Sequence, residues 1–322
     1  MKTEIPYDEE DIRLLTECTL CLRECGSNRF LGPEGWCRSD AGMNIASICI
    51  HRGEEPAING PEGICNIFFS GCNLRCIYCQ NYEISHQCPT GGNKITDFPD
   101  AIEKICNILS SGIKAVGFVS PSHVVPQVKA IIKGLNGRGF RPVTVYNTNS
   151  YEKIETLRSL DGIIDVYLPD LKYMSPELSK EFSGANDYPE TALAAVREMY
   201  YQKGSTLLTD DEGRAQRGII IRHLVLPGHA GESKKVLRAV ADEISTGITI
   251  SLMSQYHPVP GVSGHPALGR VLYRSEYEEV VEEMEQLGFR NGWVQDMESH
   301  LNYRPDFSKE HPFEDLSGCR TT

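Results

Sequence analysis

Three cysteines stand close together in the stretch GCNLRCIYCQNY, residues 71–82, which we call the cluster loop. Three residues separate Cys72 from Cys76, and two separate Cys76 from Cys79. Clustered cysteines in a chain of this kind are typical of metal ligands. A structural zinc ion normally closes with four protein ligands, and each of the four irons of a [4Fe-4S] cluster takes one terminal ligand. Three thiolates would therefore leave one iron open to another molecule.

The alternative for the cluster loop is a zinc site whose fourth ligand lies elsewhere in the chain. The candidates for that ligand are Cys65, Cys88 and His86. The unequal spacing and the aromatic Tyr78 directly before Cys79 favour the iron–sulfur cluster over zinc.

A second cysteine set lies in residues 18–37, which we call the N-terminal cysteine segment. Its pattern is C-x2-C-x3-C-x11-C, formed by Cys18, Cys21, Cys25 and Cys37. Four thiolates on a short, glycine-rich stretch suit zinc or an iron–sulfur cluster. We favour a structural site, with zinc ahead of an auxiliary cluster. The alternative is four buried cysteines without metal, because free cysteines are common in cores.

The pattern of apolar residues predicts the strands and helices that position these cysteines. Six short runs rich in Ile, Val, Phe or Tyr lack polar alternation, which is typical of parallel strands covered by helices. They are residues 64–70, 114–120, 142–148, 163–169, 218–226 and 248–254. Helical patterns lie between them at 98–111, 123–136, 151–159, 188–203 and 231–245. The sequence therefore predicts an α/β fold with a parallel sheet and right-handed crossovers, open or curled into a partial barrel.

Start signals support three of these helices. Asp97, Ser122 and either Asn149 or Ser150 are expected to cap them. A further helix is expected in SEYEEVVEEMEQLGF, ended by Gly288. Cys106 shares a helix face with apolar residues and is expected in the core.

Composition suggests how the chain is divided into segments and which classes of partner are disfavoured. Residues 1–60 are rich in Gly, Cys and charge and are expected to form a small metal-binding appendage, followed by the barrel at 61–260 and a helix and tail at 261–322. The net charge of −12 argues against nucleic acid or anionic membrane as the main partner. No apolar run reaches the length of a membrane span, and the acidic start is unlike a signal peptide, so a cytoplasmic protein is expected.

The stretch CNLRCIYC resembles the CxxxCxΦC signature of the radical S-adenosylmethionine (SAM) superfamily, where Φ is aromatic. It follows the first predicted strand, at the carboxyl end where barrel active sites gather. Residues 12–260 look like the pyruvate formate-lyase-activating enzyme-like iron–sulfur proteins of that superfamily, most closely in FFSGCNLRCIYCQNYEIS. The resemblance implies a partial (βα)6 barrel of the TIM type, a [4Fe-4S] cluster on Cys72, Cys76 and Cys79, and SAM on the open iron.

The resemblance also implies a SAM site at successive strand ends. In related activating enzymes a Gly-Gly-Glu motif holds the SAM amino group, whereas this chain reads GFVSPSH, so Ser120, Ser122 and nearby carbonyls would replace the missing acid. Asn147, Thr148 and Asn149 would contact the ribose or carboxylate; a helix cap and turn is the alternative.

Three further elements complete the implied site. Asp170 and Lys172 match an Asp-Leu-Lys element and share one strand face; a simple exposed ion pair is the alternative. Arg222, followed by Pro227 and Gly228, would grip the SAM carboxylate in a forked geometry. His257 would contact adenine or ribose, unless it is a turn histidine before proline.

Two function classes follow. The first is a radical SAM enzyme that cleaves SAM reductively and abstracts hydrogen from a substrate, with glycyl-radical activation of a partner protein as the finer possibility and flavodoxin or ferredoxin as electron donor. The second is a non-catalytic metal-binding or electron-transfer protein. Polar residues at successive strand ends favour the enzyme, because an electron carrier has no need of them.

Overall fold

The computed structural model describes residues 5–86, 95, 97–301, 305–307, 309, 312 and 313. Within these residues nine strands form one sheet: β1 (Ile45–His51), β2 (Ile64–Phe69), β3 (Ala115–Val119), β4 (Val143–Thr148), β5 (Val166–Pro169), β6 (Leu208–Thr209), β7 (Ala215–Leu224), β8 (Thr249–Met253) and β9 (Gly292–Val294). The main path runs β1-β2-β3-β4-β5-β7-β8-β9, and β6 pairs with β7.

Ten α-helices accompany the strands in the described part of the chain: α1 (Glu9–Thr16), α2 (Pro56–Asn59), α3 (Tyr82–Ser85), α4 (Phe98–Ser110), α5 (Val125–Gly137), α6 (Ile154–Arg158), α7 (Pro176–Ser183), α8 (Tyr188–Lys203), α9 (Ala230–Glu243) and α10 (Arg274–Gln286). Two 3-10 helices in the same ranges cover Pro260–Val262 and Met297–Leu301. No helix among the described residues is long and apolar enough to cross a membrane.

Six strands of the sheet are those expected from the sequence, and they pair in parallel from β2 through β8. Helices α4, α5, α6, α8 and α9 cross between them at the expected places. The predicted α/β fold with a partial barrel is thus confirmed. Burial of the strands on both faces explains the absence of polar alternation in their sequences.

Two edge strands differ from the expectation. β1 pairs antiparallel with β2, and β9 pairs in parallel with β8. Each predicted segment boundary, at 60 and at 260, therefore falls between two strands that pair with each other in the sheet. The sequence of β1, IASICIH, is short and adjoins the cysteine-rich start, while β9 has only three residues, too few for a recognisable pattern.

Two different apolar clusters pack against the two faces of the sheet. The outer face packs against the helices through one large core, to which Ile67, Phe118, Tyr146 and Ile221 belong. The inner face has a smaller apolar cluster that includes Val145, Leu168 and Ile220. Because side chains alternate along a strand, a residue's parity decides which face it joins.

The predicted caps are right at one helix and wrong at two. The Asp97 side chain accepts from the Asp100 N–H at 3.4 Å and caps α4. Helix α5 begins after Val124, and α6 begins after Lys153, neither with a side-chain cap. Ser122 and Asn149 are engaged elsewhere, as described below. Cys106 is buried in the main core, as expected.

Candidate functional site

A cavity of about 210 Å³ opens at the carboxyl ends of the parallel strands. The thiols of Cys72, Cys76 and Cys79 reach it from the cluster loop, which follows β2 directly. Inner-face residues at the ends of β3, β4, β5 and β7 line the same space. The strand ends thus bring the cysteines together with polar side chains that are distant in the chain, such as Arg222, which lies 150 residues after Cys72.

The three cysteine thiols are desolvated, and each sulfur has a hydrogen-bonding neighbour. The N–H of Leu74 donates to Cys72 Sγ at 3.4 Å, and the Ser85 hydroxyl donates to Cys79 Sγ at 3.3 Å. Cys76 Sγ lies 3.0 Å from the hydroxyl oxygen of Ser183. Donors aimed at sulfur stabilise the thiolate form that binds metal.

Burial raises the pKa of all three thiols. The pKa of Cys72 rises to about 12 and that of Cys79 to about 11, first through desolvation and then through the charge of Cys76. The pKa of Cys76 is raised by desolvation, and Lys172 opposes the rise. Three thiolates that line one cavity repel one another, and a cation would relieve this repulsion; irons would supply it.

The donor set therefore fits a [4Fe-4S] cluster. Within the described ranges no group of three or more His, Cys, Asp and Glu side chains already surrounds the position of a single metal ion. A cluster distributes its cysteines over separate irons, so three cysteines around it need not converge on one point. Of the residues weighed as a fourth ligand, Cys65 is buried within β2 and does not line the cavity. Cys88, like Cys319, lies outside the described residues.

Five polar residues form what we call the polar cage beside the cysteines: Glu54, Asn147, Asp170, Lys172 and Arg222. The Arg222 guanidinium donates to Asp170 at 2.8 Å and to the side-chain oxygen of Asn147 at 2.7 Å. It also reaches Glu54 at 3.3 Å. Lys172 Nζ donates to the other Asp170 oxygen at 2.8 Å.

Charge pairing sets the protonation of the cage. Desolvation raises the pKa of Asp170, but Arg222 and then Lys172 lower it more, so the net direction is down. Desolvation likewise lowers the pKa of Lys172, and the charge of Asp170 more than reverses this. Asp170, Lys172 and Arg222 thus stay charged inside the cavity, which is costly unless they bind something polar.

The cage needs a glycine on the neighbouring strand. Asn66 Nδ2 donates to Glu54 at 2.8 Å and holds that carboxylate towards Arg222. A Cβ at Gly117 would lie 2.0 Å from Asn66 Oδ1, so only glycine leaves room for this side chain.

The structure gathers six of the nine expected SAM-site residues around the cavity: Ser120, Asn147, Asn149, Asp170, Lys172 and Arg222. Asn149 lies closest to the cysteines, with Nδ2 donating to Cys72 Sγ at 3.4 Å and to Asn73 at 2.8 Å. Ser120 has a φ of +54°, a strained turn that ends β3 at the cavity wall.

The other three expected residues do not line the cavity. Ser122 and Thr148 are turned to the outer face, where both hydroxyls contact the buried carboxylate of Glu152. Strand alternation explains this for Thr148, because its neighbour Asn147 takes the inner face. His257 is half-buried beyond the end of β8, and Gln255 occupies the cavity wall instead.

Sequence reasoning missed Glu54 and the aromatic wall of the cavity, and after β8 it chose His257 where Gln255 lines the cavity. Glu54 follows β1, a strand that the sequence pattern did not predict, so no strand end pointed to it. The wall includes Phe68 and Phe313, whose rings lie 5.5 Å apart, and Phe313 also packs on His51 at 4.3 Å. Inner-face parity on β2 was the available signal for Phe68.

Fold and site together define a partial-barrel protein with a three-cysteine loop at the mouth. Residues 66–207 match the family model described as the radical SAM superfamily. The chain therefore contains a radical SAM domain, and the superfamily expected from the sequence is confirmed.

Three individual proteins are similar to this chain. The uncharacterized protein MJ0674 of Methanocaldococcus jannaschii is 28% identical over 273 residues, which cover 84% of this chain and 74% of that protein. The crystal structure of HydG, a maturase of the [FeFe]-hydrogenase, aligns with a TM-score of 0.51 at 12% identity, over 72% of this chain and 52% of HydG, and so shares the fold. Streptococcus suis SuiB bound to S-adenosylmethionine aligns less closely, with a TM-score of 0.47 at 12% identity, over 70% of this chain and 48% of SuiB. The chain thus aligns with only about half the length of each of these two solved proteins.

Proposed function

We propose that this protein is a radical SAM enzyme that removes a hydrogen atom from its substrate. Cys72, Cys76 and Cys79 hold a [4Fe-4S] cluster, and the polar cage beside them holds SAM. One observation carries the proposal: desolvated cysteines and a charged cage line the same cavity at the strand ends. When bound, cluster and SAM together supply a one-electron cleavage of the sulfonium and a radical that takes the hydrogen.

The cage residues orient SAM through its amino acid end. Lys172 and Arg222 present ammonium and guanidinium donors for the carboxylate, with Arg222 in the forked geometry that suits it. Asp170 and the oxygens of Asn147 and Ser120 are acceptors for the amino group, in place of the missing Gly-Gly-Glu acid. Asn149, next to Cys72, contacts the same end of SAM.

The cage is paired within itself, so SAM would have to share its partners. The Arg222 and Lys172 side chains both end on Asp170. A ligand carboxylate that approaches Arg222 and Lys172 would accept hydrogen bonds from them. The pairing with Asp170 already fixes the direction of these donors. Such pre-positioned groups cost little reorganisation on binding.

The substrate class that we propose is a partner protein, and the reaction is of the glycyl-radical activating kind. The resemblance of the cluster segment FFSGCNLRCIYCQNYEIS to activating enzymes supports this. The electron would come from a small donor of the flavodoxin or ferredoxin class.

Anaerobic reconstitution with iron and sulfide, followed by dithionite and SAM, tests the activity. We expect 5'-deoxyadenosine from the wild-type chain and none from Cys76→Ala. The matched control is Cys106→Ala, which alters a buried cysteine outside the cavity and should retain cleavage. Purified protein that carries only zinc and never cleaves SAM would instead support the electron-transfer or metal-binding alternative.

A further inference from the structure

The N-terminal cysteine segment is built around a buried arginine. Arg29 is 2% exposed, and its guanidinium donates to the backbone oxygen of His123 at 2.6 Å and to Cys37 Sγ at 3.1 Å. Arginine keeps its positive charge in proteins. Burial of a permanent cation is costly unless negative charge lies beside it.

The groups around Arg29 that can supply this charge are thiols. Cys18, Cys21 and Cys37 are buried, with exposures of 2%, 5% and 5%. Cys18 and Cys37 both contact the Arg29 guanidinium, and Cys25 Sγ contacts the Cys18 side chain. Neutral thiols are weak acceptors and carry no charge. Thiolates bound to a metal ion retain net negative charge, and a buried guanidinium matches that charge.

The backbone of the segment is folded into tight turns beside its cysteines. The N–H of Cys18 donates to the Ser27 oxygen at 3.1 Å, and the N–H of Gly26 returns to the Cys18 oxygen at 3.0 Å. Glu24 and Arg38 adopt positive φ values of 38° and 57° next to the third and fourth cysteines. Residues in such strained turns persist where the surroundings hold them.

We propose that Cys18, Cys21, Cys25 and Cys37 hold one zinc ion, and that this ion fixes the cluster loop from behind. The tetrathiolate charge is balanced in part by Arg29. Among the described residues the four thiols do not surround one point, so binding of the ion requires these side chains to move. None of the four lines the cavity, so the ion touches neither SAM nor substrate.

The link to the cluster loop is direct. A Cβ at Gly71 would lie 2.1 Å from the Cys37 backbone oxygen, so the two segments are in close backbone contact one residue before Cys72. Arg23 donates to the Asn73 oxygen at 2.9 Å, and Arg75 donates to the Trp36 oxygen at 3.2 Å. Both guanidinium groups lie over the Trp36 ring, at 4.1 and 4.0 Å.

Metal and sulfide analysis of anaerobically purified full-length protein tests the zinc site. The key sample is the triple variant Cys72→Ala/Cys76→Ala/Cys79→Ala, which cannot hold the [4Fe-4S] cluster. We expect about one zinc per chain in both this variant and the wild type. The double variant Cys18→Ala/Cys37→Ala should lose the zinc. The matched control Cys49→Ala/Cys106→Ala, which removes two buried cysteines outside the set, should keep it.

Two further measurements keep the test decisive if the double variant does not fold. Cobalt(II) added to the triple variant should give the visible bands of a tetrahedral thiolate site. Arg29→Met should weaken zinc in a chelator competition by about tenfold, the size typical of groups outside the ligand set, and Arg29→Lys should restore most of it.

Four results would overturn the proposal. Iron and sulfide retained by the triple variant would mean an auxiliary cluster, and a triple variant without bound metal would mean no metal site. Equal zinc content in the double variant and its control, or disulfide bonds among the four cysteines, would also contradict it. The metal content is independent of SAM cleavage, so failure of this proposal and failure of the proposed function are distinguishable.

Discussion

At the scale of single residues, the main electrostatic feature of the cavity is one carboxylate paired with two cations. Asp170 pairs with Arg222 and Lys172, each at 2.8 Å. The sequence could predict that positions 170 and 172 share a strand face, but not that Arg222, about 50 residues later, completes the same pair. Removing the shared anion leaves two buried cations without their main partner.

We therefore expect Asp170→Asn to destabilise the protein. The loss should be about 3 kcal/mol, because breaking a buried ion pair from one side leaves the other charge uncompensated. Urea unfolding monitored by circular dichroism measures it. Asp242→Asn, on the exposed face of α9, is the control and should change stability by less than about 0.5 kcal/mol. Equal effects in the two variants would contradict the pairing.

A second residue-scale prediction concerns the buried Glu152 behind the strand ends. Desolvation raises its pKa from 4.5 to about 7, while the hydroxyls of Ser122, Thr148 and Tyr146 oppose the rise. Between pH 4.5 and about 7 the folded protein thus keeps a proton on Glu152, whereas the unfolded chain has already released it. Stability from this group is present at low pH and falls as pH rises from about 4.5 to 7.

Glu152→Gln should remove that pH dependence. Relative to the wild type, the variant should gain stability with rising pH, by at most roughly 3 kcal/mol between about pH 4.5 and 8. Urea unfolding across this range checks it. A wild-type and variant difference that is flat with pH would show that Glu152 titrates normally.

At the scale of elements, strand alternation explains where sequence reasoning succeeded and where it stopped. Buried apolar runs located all six parallel strands, because strands covered on both faces have a recognisable composition. Adjacent residues of a strand take opposite faces, so Asn147 and Thr148 could not both line one cavity, although the resemblance implied that both would. Glu54 could not be predicted as a site residue, because it follows the edge strand β1, which the sequence pattern did not distinguish from the cysteine-rich start.

The contact between the cluster loop and the N-terminal cysteine segment gives an element-scale prediction. Gly71 has a φ of +82° and no room for a Cβ, whereas Gly139 has a φ of +84° and nothing within 4 Å. Gly139→Ala should cost only the strain of a left-handed alanine, about 1 kcal/mol. Gly71→Ala should cost clearly more and lower iron incorporation into the cluster, because it pushes the two segments apart.

Urea unfolding and iron analysis after reconstitution compare the two alanine variants. Their difference isolates the contact, since the backbone conformation is nearly the same. Similar losses of stability and full iron content in both would mean that the loop does not depend on this approach.

At the scale of the whole molecule, the parallel strands and the first 60 residues share one sheet. β1 supplies the antiparallel neighbour of β2, and the segment after it supplies Glu54 to the polar cage. An uncovered β2 would expose a hydrophobic edge, which is a template for aggregation.

A chain that begins at residue 61 should therefore aggregate or remain unfolded, although the expected barrel starts there. A chain that begins at Ile5 is the control and should fold like the full protein. Size-exclusion chromatography with circular dichroism distinguishes these results. A monomeric, folded 61–322 fragment would show that the barrel is independent of the first 60 residues.

The far end of the polypeptide also shapes the mouth of the cavity. Pro305 and Phe313 are among its lining residues, and the Phe313 ring rests on His51 and Phe68. These two residues help to shape the opening of the cavity, although neither belongs to the cluster loop or to the polar cage. Exchanges at these two positions should therefore change the width of that opening and leave the cysteines and the polar cage in place.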